Sequence, residues 1–228
     1  MNNNDLIKYL FTFKDEKYLE FNKKIINTPS NMIGIRTPII KRIAKELSKD
    51  YKKSLSIINT NYYEEFTLEG FIISYIKDIN DFDYYFDLFV PKIDNWATCD
   101  MCIGAMKQLG KDEKYFDKAK EFIETGKEFT IRVGYLIMMD YYLDNNHIDE
   151  ILDILNKKNE EFYYVKMVKA WLISVAYIQY KDKIINFLKR NSLDDFTHNK
   201  SIQKIIELLR VEKFDKDYLK SFKRKKRF

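Results

Sequence analysis

The chain has 228 residues, of which 46% are hydrophobic and 33% are charged, and its formal net charge is +5. This composition excludes a disordered chain, and the length suffices for one well-buried core, so we expect a single domain over residues 1–228. No apolar run approaches the ~18 residues that span a bilayer, and the first residues lack the layout of a signal peptide. With only 2 cysteines, we expect a cytoplasmic protein without a membrane partner.

Apolar residues recur at helical spacing along nearly the whole chain, and the alternation typical of strands is nowhere sustained. An early helix is predicted from about residue 38 to residue 47, with Thr37 as its N-cap and Pro38 at its first position. Shorter helices are predicted at residues 81–90, 112–123 and 148–155. Longer helices are predicted to begin near Phe66, Trp96, Phe129, Tyr164 and His198. The sequence therefore predicts an all-α fold.

The longer helices recur at intervals of 30, 33, 35 and 34 residues, with a shorter helix between each pair. A repeat of about 35 residues built from one short and one long helix is typical of an α-solenoid. We expect the second helix of each pair to line a concave groove. The alternative is an ordinary helical bundle in which this spacing is a coincidence.

The usual catalytic sets are missing from the sequence. There is no glycine-rich phosphate loop, and His147 and His198 have neither metal-ligand spacing nor an obvious nucleophile, so we expect both at the surface. Cys99 and Cys102 form a C-x-x-C pattern without a preceding strand or a second ligand pair, which favours two buried residues one turn apart. The sequence therefore predicts neither a metal nor a cofactor.

Four residues on predicted second helices suggest a binding cleft. Trp96 and Asp100 lie at i and i+4 and so share one helix face. Arg132 follows Trp96 by 36 residues, and Trp171 follows Arg132 by 39 residues. Two aromatic planes, a carboxylate and a guanidinium at repeat-like intervals suit a flat, cationic ligand. Each has a plainer interpretation: a core tryptophan, a surface arginine, or an aspartate that interacts with a neighbouring helix.

These segments resemble the AlkD-type DNA alkylation repair proteins, a family of HEAT-like repeat DNA glycosylases. The resemblance extends over nearly the whole chain and rests on Gly34-Ile-Arg-Thr-Pro-Ile-Ile-Lys-Arg-Ile-Ala-Lys-Glu-Leu47, Asn95-Trp-Ala-Thr-Cys-Asp100, Thr130-Ile-Arg132, Val168-Lys-Ala-Trp171-Leu172, Phe196-Thr-His-Asn-Lys200 and Arg210-Val211. It implies HEAT-like repeats curved around duplex DNA and excision of cationic alkylpurines such as 3-methyladenine and 7-methylguanine.

The resemblance also implies a role for each of the four residues. Asp100 would be the catalytic carboxylate, Trp96 and Trp171 would flank the deoxyribose of the lesion, and Arg132 would help to hold the nearby backbone. The chemistry agrees, because an alkylated cationic purine is already a good leaving group and needs no general acid. One carboxylate can stabilise the oxocarbenium-like sugar and orient water, and aromatic faces attract positive charge.

We expect the binding partner to be double-stranded DNA that carries alkylated purines, contacted mainly through its phosphates by a monomeric protein. Candidate contacts beside the proposed groove are Arg36, Lys166, Lys169, Lys200 and Lys204. A basic tail covers about residues 220–228 and is interpreted either as a solvated segment or as a further DNA contact. Two other functions stay open: a noncatalytic protein that binds damaged or branched DNA, and a protein–protein adaptor, the commonest use of α-solenoids.

Overall fold

A computed structural model describes residues 2–157 and 161–225 of the chain. Within these ranges the only pairing of the β type is an isolated parallel bridge between Asn31 and Tyr62, and all regular structure is helical. The prediction of an all-α fold is confirmed. None of the helices in the described ranges combines the length and the apolar character that a bilayer crossing requires.

The chain forms two compact units, Met1–Asp112 and Glu113–Phe228, referred to below as unit 1 and unit 2. The sequence-based expectation of one domain over residues 1–228 therefore stays a prediction. Of the predicted basic tail, Lys226 and Arg227 lie outside the described residues.

Unit 1 is built around one helix that is buried on nearly all sides. Its helices are α1 (Asn3–Phe11), α2 (Glu16–Ile25), α3 (Thr37–Leu47), α4 (Tyr51–Ile57), α5 (Tyr63–Ser74), α6 (Ile79–Phe89) and α7 (Trp96–Ile103). Helix α5 packs between α3 and α7, and its Leu68, Phe71 and Ile72 belong to the core of the unit. Gly70 permits the close approach to α7, because a Cβ atom there would lie 2.5 Å from the Cys102 sulfur.

Unit 2 alternates short outer helices with long inner helices. Its helices are α8 (Lys114–Ile123), α9 (Glu128–Tyr141), α10 (Ile148–Lys157), α11 (Tyr163–Gln179), α12 (Lys181–Arg190), α13 (Asp195–Glu207) and α14 (Lys213–Lys220). The inner helices α9, α11 and α13 lie side by side, with α8, α12 and α14 packed against them. Outer helices such as α8 bury a single stripe, whereas α9 and α11 are buried on most sides.

The predicted helix boundaries are close to the observed ones, with three informative differences. Helix α13 begins three residues before His198, at Asp195, because the Asp194 side chain caps it by accepting the Thr197 N–H at 3.1 Å. Helix α7 begins at Trp96 as predicted but is short, with 8 residues and a C-cap at Gly104. The N-cap predicted for α3 is wrong by one residue, since Arg36 occupies the cap and Thr37 is already helical.

Candidate nucleic-acid interface

Helix α7 fixes the positions of Trp96 and Asp100 in unit 1. The helix begins after Asn95, a buried N-cap whose side-chain oxygen accepts the Thr98 N–H at 2.9 Å. Trp96 and Asp100 are both half-buried, whereas Ala97, Thr98 and Cys99 between them are buried. The indole and the carboxylate therefore lie one turn apart on the accessible side of α7.

A hydrogen bond sets the orientation of the Trp96 indole. Its Nε1–H donates to the carbonyl oxygen of Ile25 at 3.1 Å, across 71 residues of sequence. The ring packs against a small cluster that contains Ile26, Tyr63 and the partly buried Met32. The end of α2 and the segment that follows it therefore support the aromatic face.

A fully buried carboxylate holds that segment in place. Glu64 on α5 accepts the backbone N–H groups of Ile33, Gly34 and Ile35 at 2.9, 2.7 and 3.3 Å. Gly34 has a φ of +92°, a conformation that glycine adopts without strain. Sequence reasoning missed Glu64, because nothing in its neighbourhood distinguishes it from Glu65 or Glu69 on the same helix.

Arg36 follows this segment and is exposed, and contacts within unit 1 fix the orientation of its guanidinium. Its Nε and Nη2 atoms each lie 2.9 Å from Oδ2 of Asp15, and its guanidinium lies over the Tyr18 ring at 5.3 Å. A hydrogen bond from the Tyr18 backbone and the contact with Arg36 lower the pKa of Asp15. The arginine retains donors that can reach an external anion.

Arg132 and Trp171 lie in unit 2 and differ sharply in exposure. Arg132 is only 5% exposed, and its Nη1 donates to the Tyr164 carbonyl oxygen at 2.6 Å. The interpretation of Arg132 as a surface charge is therefore wrong, since the guanidinium joins α9 to the start of α11. Trp171 on α11 is 37% exposed, so it is not a core tryptophan.

The structure thus places the predicted quartet in two pairs. Trp96 and Asp100 share α7 of unit 1, and Arg132 and Trp171 lie on the inner helices α9 and α11 of unit 2. That all four line one patch stays a prediction.

The remaining basic candidates have unequal access to solvent. Lys166 is partly exposed, with Nζ 3.6 Å from Asp194, and Lys204 lies 3.9 Å from Glu207. Lys200 is partly exposed and donates to Gln203 at 3.2 Å. Lys169 is 1% exposed, with its ammonium 5.8 Å from the Tyr135 ring. Its burial among the inner helices makes Lys169 a packing residue and not a surface contact for phosphate.

Neither histidine is the exposed surface residue that the sequence suggests. His198 is buried, and desolvation lowers its pKa despite a hydrogen bond with the Phe222 backbone. His147 lies between Asp144 and Glu113, at 2.8 and 2.7 Å. Burial opposes the charged form of His147, but the hydrogen bonds and charges of the two carboxylates outweigh it and raise its pKa.

The two cysteines are free and buried, as predicted. Burial raises the pKa of the Cys102 thiol, which makes this thiol unreactive. Within the described part of the chain, no group of three or more His, Cys, Asp or Glu side chains is placed to hold a metal ion.

The fold and the accessible residues define the class of the protein. It is a helical-repeat protein whose surface carries aromatic residues, Trp96 and Trp171, and basic residues such as Arg36 and Lys200. A sequence model described as "DNA alkylation repair enzyme" matches residues 6–205. The chain belongs to the DNA alkylation repair enzyme family, as its sequence resemblance predicts.

A solved structure gives an independent comparison of the fold. It is described as "A new family of proteins related to the HEAT-like repeat DNA glycosylases with affinity for branched DNA structures". The chain is similar to it with a TM-score of 0.60 and 15% identity over 83% of each chain. At this identity the likeness concerns the fold alone, and it confirms the prediction of HEAT-like helical repeats. No match was found among curated proteins.

Proposed function

We propose that the protein is a monofunctional DNA glycosylase that excises cationic N3- and N7-alkylated purines, such as 3-methyladenine and 7-methylguanine, from duplex DNA. The observation that carries the proposal is the pairing of Asp100 with Trp96 on the accessible side of α7, in a member of the DNA alkylation repair enzyme family. No other residue pair in the described chain combines an accessible carboxylate and an indole on adjacent turns.

The proposed chemistry needs only this carboxylate and a water molecule. An alkylated purine carries a positive charge before its glycosidic bond breaks, so departure of the base leaves a neutral product and a positively charged sugar. The Asp100 carboxylate stabilises that sugar and orients the water that attacks it. Trp96, with its indole held by Ile25, offers an aromatic face to the same cation, an interaction of about 0.5–2 kcal/mol.

The other proposed residues bind and position the DNA. Trp171 supplies a second aromatic face beside the deoxyribose. Arg132 acts as a positioning residue, because its guanidinium holds the start of α11, the helix that carries Trp171. The phosphate contacts are made by Arg36, Lys166, Lys200 and Lys204. Lys169 makes none, because it is buried.

Single-turnover release of 7-methylguanine from methylated duplex DNA tests the proposal. Replacing Asp100 with asparagine preserves the shape of the side chain and removes its charge. Loss of one preorganised electrostatic partner costs about 3–4 kcal/mol, or roughly 10²–10³ in rate. Affinity for undamaged duplex DNA should stay the same or increase, because a carboxylate near phosphates repels them.

Asp87→Asn is the matched control, since it makes the same change at an exposed position of α6 in the same unit. It should excise 7-methylguanine at the wild-type rate. An unchanged rate in Asp100→Asn would make Asp100 a structural residue.

A second candidate function is noncatalytic binding of branched DNA. It is favoured by the solved structure with the similar fold, whose description includes affinity for branched DNA structures. Base release and a comparison of junction with duplex binding separate the two functions. The noncatalytic alternative predicts no base release by the wild-type protein and tighter binding to a four-way junction than to linear duplex.

A further inference from the structure

The last described residues of the chain are fastened to helix α13. The Asn199 side chain forms a pair of hydrogen bonds with the backbone of Arg224, donating to its carbonyl at 2.9 Å and accepting its N–H at 2.8 Å. The imidazole of the preceding residue, His198, lies 2.9 Å from the Phe222 carbonyl oxygen. Two backbone positions of this segment are therefore held by consecutive residues of α13.

The side chain of Arg224 completes the attachment. Its Nη2 donates to the backbone and side-chain oxygens of Asn191, both at 2.9 Å, and its Nη1 donates to the Leu193 carbonyl and lies 3.3 Å from Asp195. The Asn191 amide in turn lies 3.1 Å from Nδ1 of His198. Since a carbonyl only accepts, we assign the His198 proton to Nε2, with Nδ1 accepting from the Asn191 amide.

This network has a consequence for the charge of the segment. Arg224 and Asp195 offset each other, and Arg224 is committed to protein contacts. Lys223 lies between two anchored residues and is exposed. The sequence-based interpretation of residues 220–228 as a solvated tail does not hold for residues 222–224, which form part of the surface of unit 2.

Helix α13 and this segment line a recess of about 410 Å³ that is open to solvent. Its lining consists of Asp195, Phe196, Asn199, Lys200, Gln203 and Lys223. The Phe196 ring is 43% exposed, and beside it, at a centroid distance of 6.0 Å, lies the exposed ring of Tyr163 at the start of α11. The recess thus combines an accessible aromatic face with two ammonium groups.

We propose that this recess binds one nucleotide of an unpaired DNA strand, with its base against Phe196 and its phosphate between Lys200 and Lys223. Aromatic rings next to lysines are the usual means of binding single-stranded nucleic acid, because every base has a π-face and every nucleotide a negative charge. The volume lies within the range of about 300–1,000 Å³ that is common for ligand sites. The inference deepens the proposed function and rests on it for the identity of the polymer as DNA.

The preference for an unpaired strand follows from the accessible ring. Inside a duplex each base is covered on both faces by its neighbours, so Phe196 has no internal base to stack on. At a fork, a branch or a single-stranded end, the terminal or splayed base is open to it. We therefore expect duplex DNA to use the phosphate contacts only, and DNA with an exposed base to gain the stacking interaction as well.

The test is fluorescence anisotropy of the full-length protein with a 12-nucleotide oligo(dT), a forked duplex and a blunt duplex. Phe196→Ala should weaken binding to the first two by roughly ten-fold, the size of the loss when one stacked base is released. Binding to the blunt duplex should change by less than about two-fold. Phe196→Trp, which keeps an aromatic face, should retain the preference for unpaired DNA.

Matched controls come from the same unit. Phe214 is an exposed phenylalanine on α14 outside the recess, so Phe214→Ala should not alter binding to any of the three probes. Lys223→Glu should weaken binding to all three, and Lys213→Glu, the same change at the start of α14, should weaken it less.

Three results would overturn the proposal. They are equal binding of oligo(dT) by the wild type and Phe196→Ala, an equal loss on all three probes in Phe196→Ala, and tighter binding of an RNA strand of matching length. Excision from blunt duplex is measured in parallel and should be normal in Phe196→Ala. If the proposed glycosylase function is wrong, the wild-type protein will not excise the base and Asp100→Asn will not differ from it. The binding comparison of the three probes does not depend on that result.

Discussion

Glu64 provides a sharp test of how unit 1 supports the candidate site. Its carboxylate is fully buried and accepts three backbone N–H groups from residues 33–35. The same chain segment carries Met32, which packs against the same small cluster as Trp96, and leads into Arg36. The informative change is Glu64→Gln, because glutamine has the same shape but replaces one acceptor oxygen with a donor.

The magnitude follows from the three distances. The bonds to Ile33 and Gly34, at 2.9 and 2.7 Å, are of full strength, while the bond to Ile35, at 3.3 Å, is weak. In Glu64→Gln the amide oxygen can still accept the Gly34 N–H, but the amide nitrogen then faces the Ile33 N–H, and two donors cannot form a hydrogen bond. Losing one bond to a charged acceptor costs about 1.5–3 kcal/mol, and leaving a buried N–H unsatisfied costs about 1–3 kcal/mol. Glutamine avoids the desolvation of a carboxylate, so we expect a net loss of about 2 kcal/mol.

Equilibrium unfolding in urea measures this difference. The control is Glu46→Gln, which removes an exposed ion pair with Lys49 and should cost no more than about 0.5 kcal/mol. In a Trp171→Phe background, Trp96 is the single remaining tryptophan of the 2 in the chain, and its emission reports on the supporting segment. We expect a red shift in Glu64→Gln. Equal stability of the two glutamine variants would refute the conclusion that Glu64 holds this segment.

Two further predictions concern charge. Lys166→Gln should weaken binding to all duplex sequences alike and reduce the slope of log affinity against log salt concentration by about 0.9. The control Lys183→Gln on α12 should change neither the affinity nor the slope. An effect confined to certain sequences would contradict a phosphate contact. His147 has a raised pKa, so its ion pairs stabilise the fold fully below its unfolded pKa of about 6.5 and are lost as the pH rises through the folded value. His147→Gln should therefore lower the free energy of unfolding more at pH 6 than at pH 9. An equal loss at both pH values would show that Glu113 and Asp144 do not stabilise the fold by their charge interaction with His147.

Local patterns in the sequence determined the helical architecture and part of the site. The spacing of apolar residues predicts α8, α10 and α11 because an amphipathic or buried helix is specified by residues within a few turns of one another. The same short-range geometry places Trp96 and Asp100 on one side of α7. Differences arise mainly at helix ends, where a single side chain such as Asp194 decides the first residue.

Tertiary structure alone decided which polar residues are buried and what they hold. Lys169 and Arg132 have the sequence context of surface charges, yet both are buried, because α11 packs against both α9 and α13. His198 has the context of an exposed helix start, but its partner is a carbonyl 24 residues further on. Glu64 meets its backbone partners about 30 residues earlier in the chain. Contacts across such separations depend on how helices pack and leave no periodic trace in the sequence, so the anchored C-terminal segment and the support of Trp96 become visible only in the folded chain.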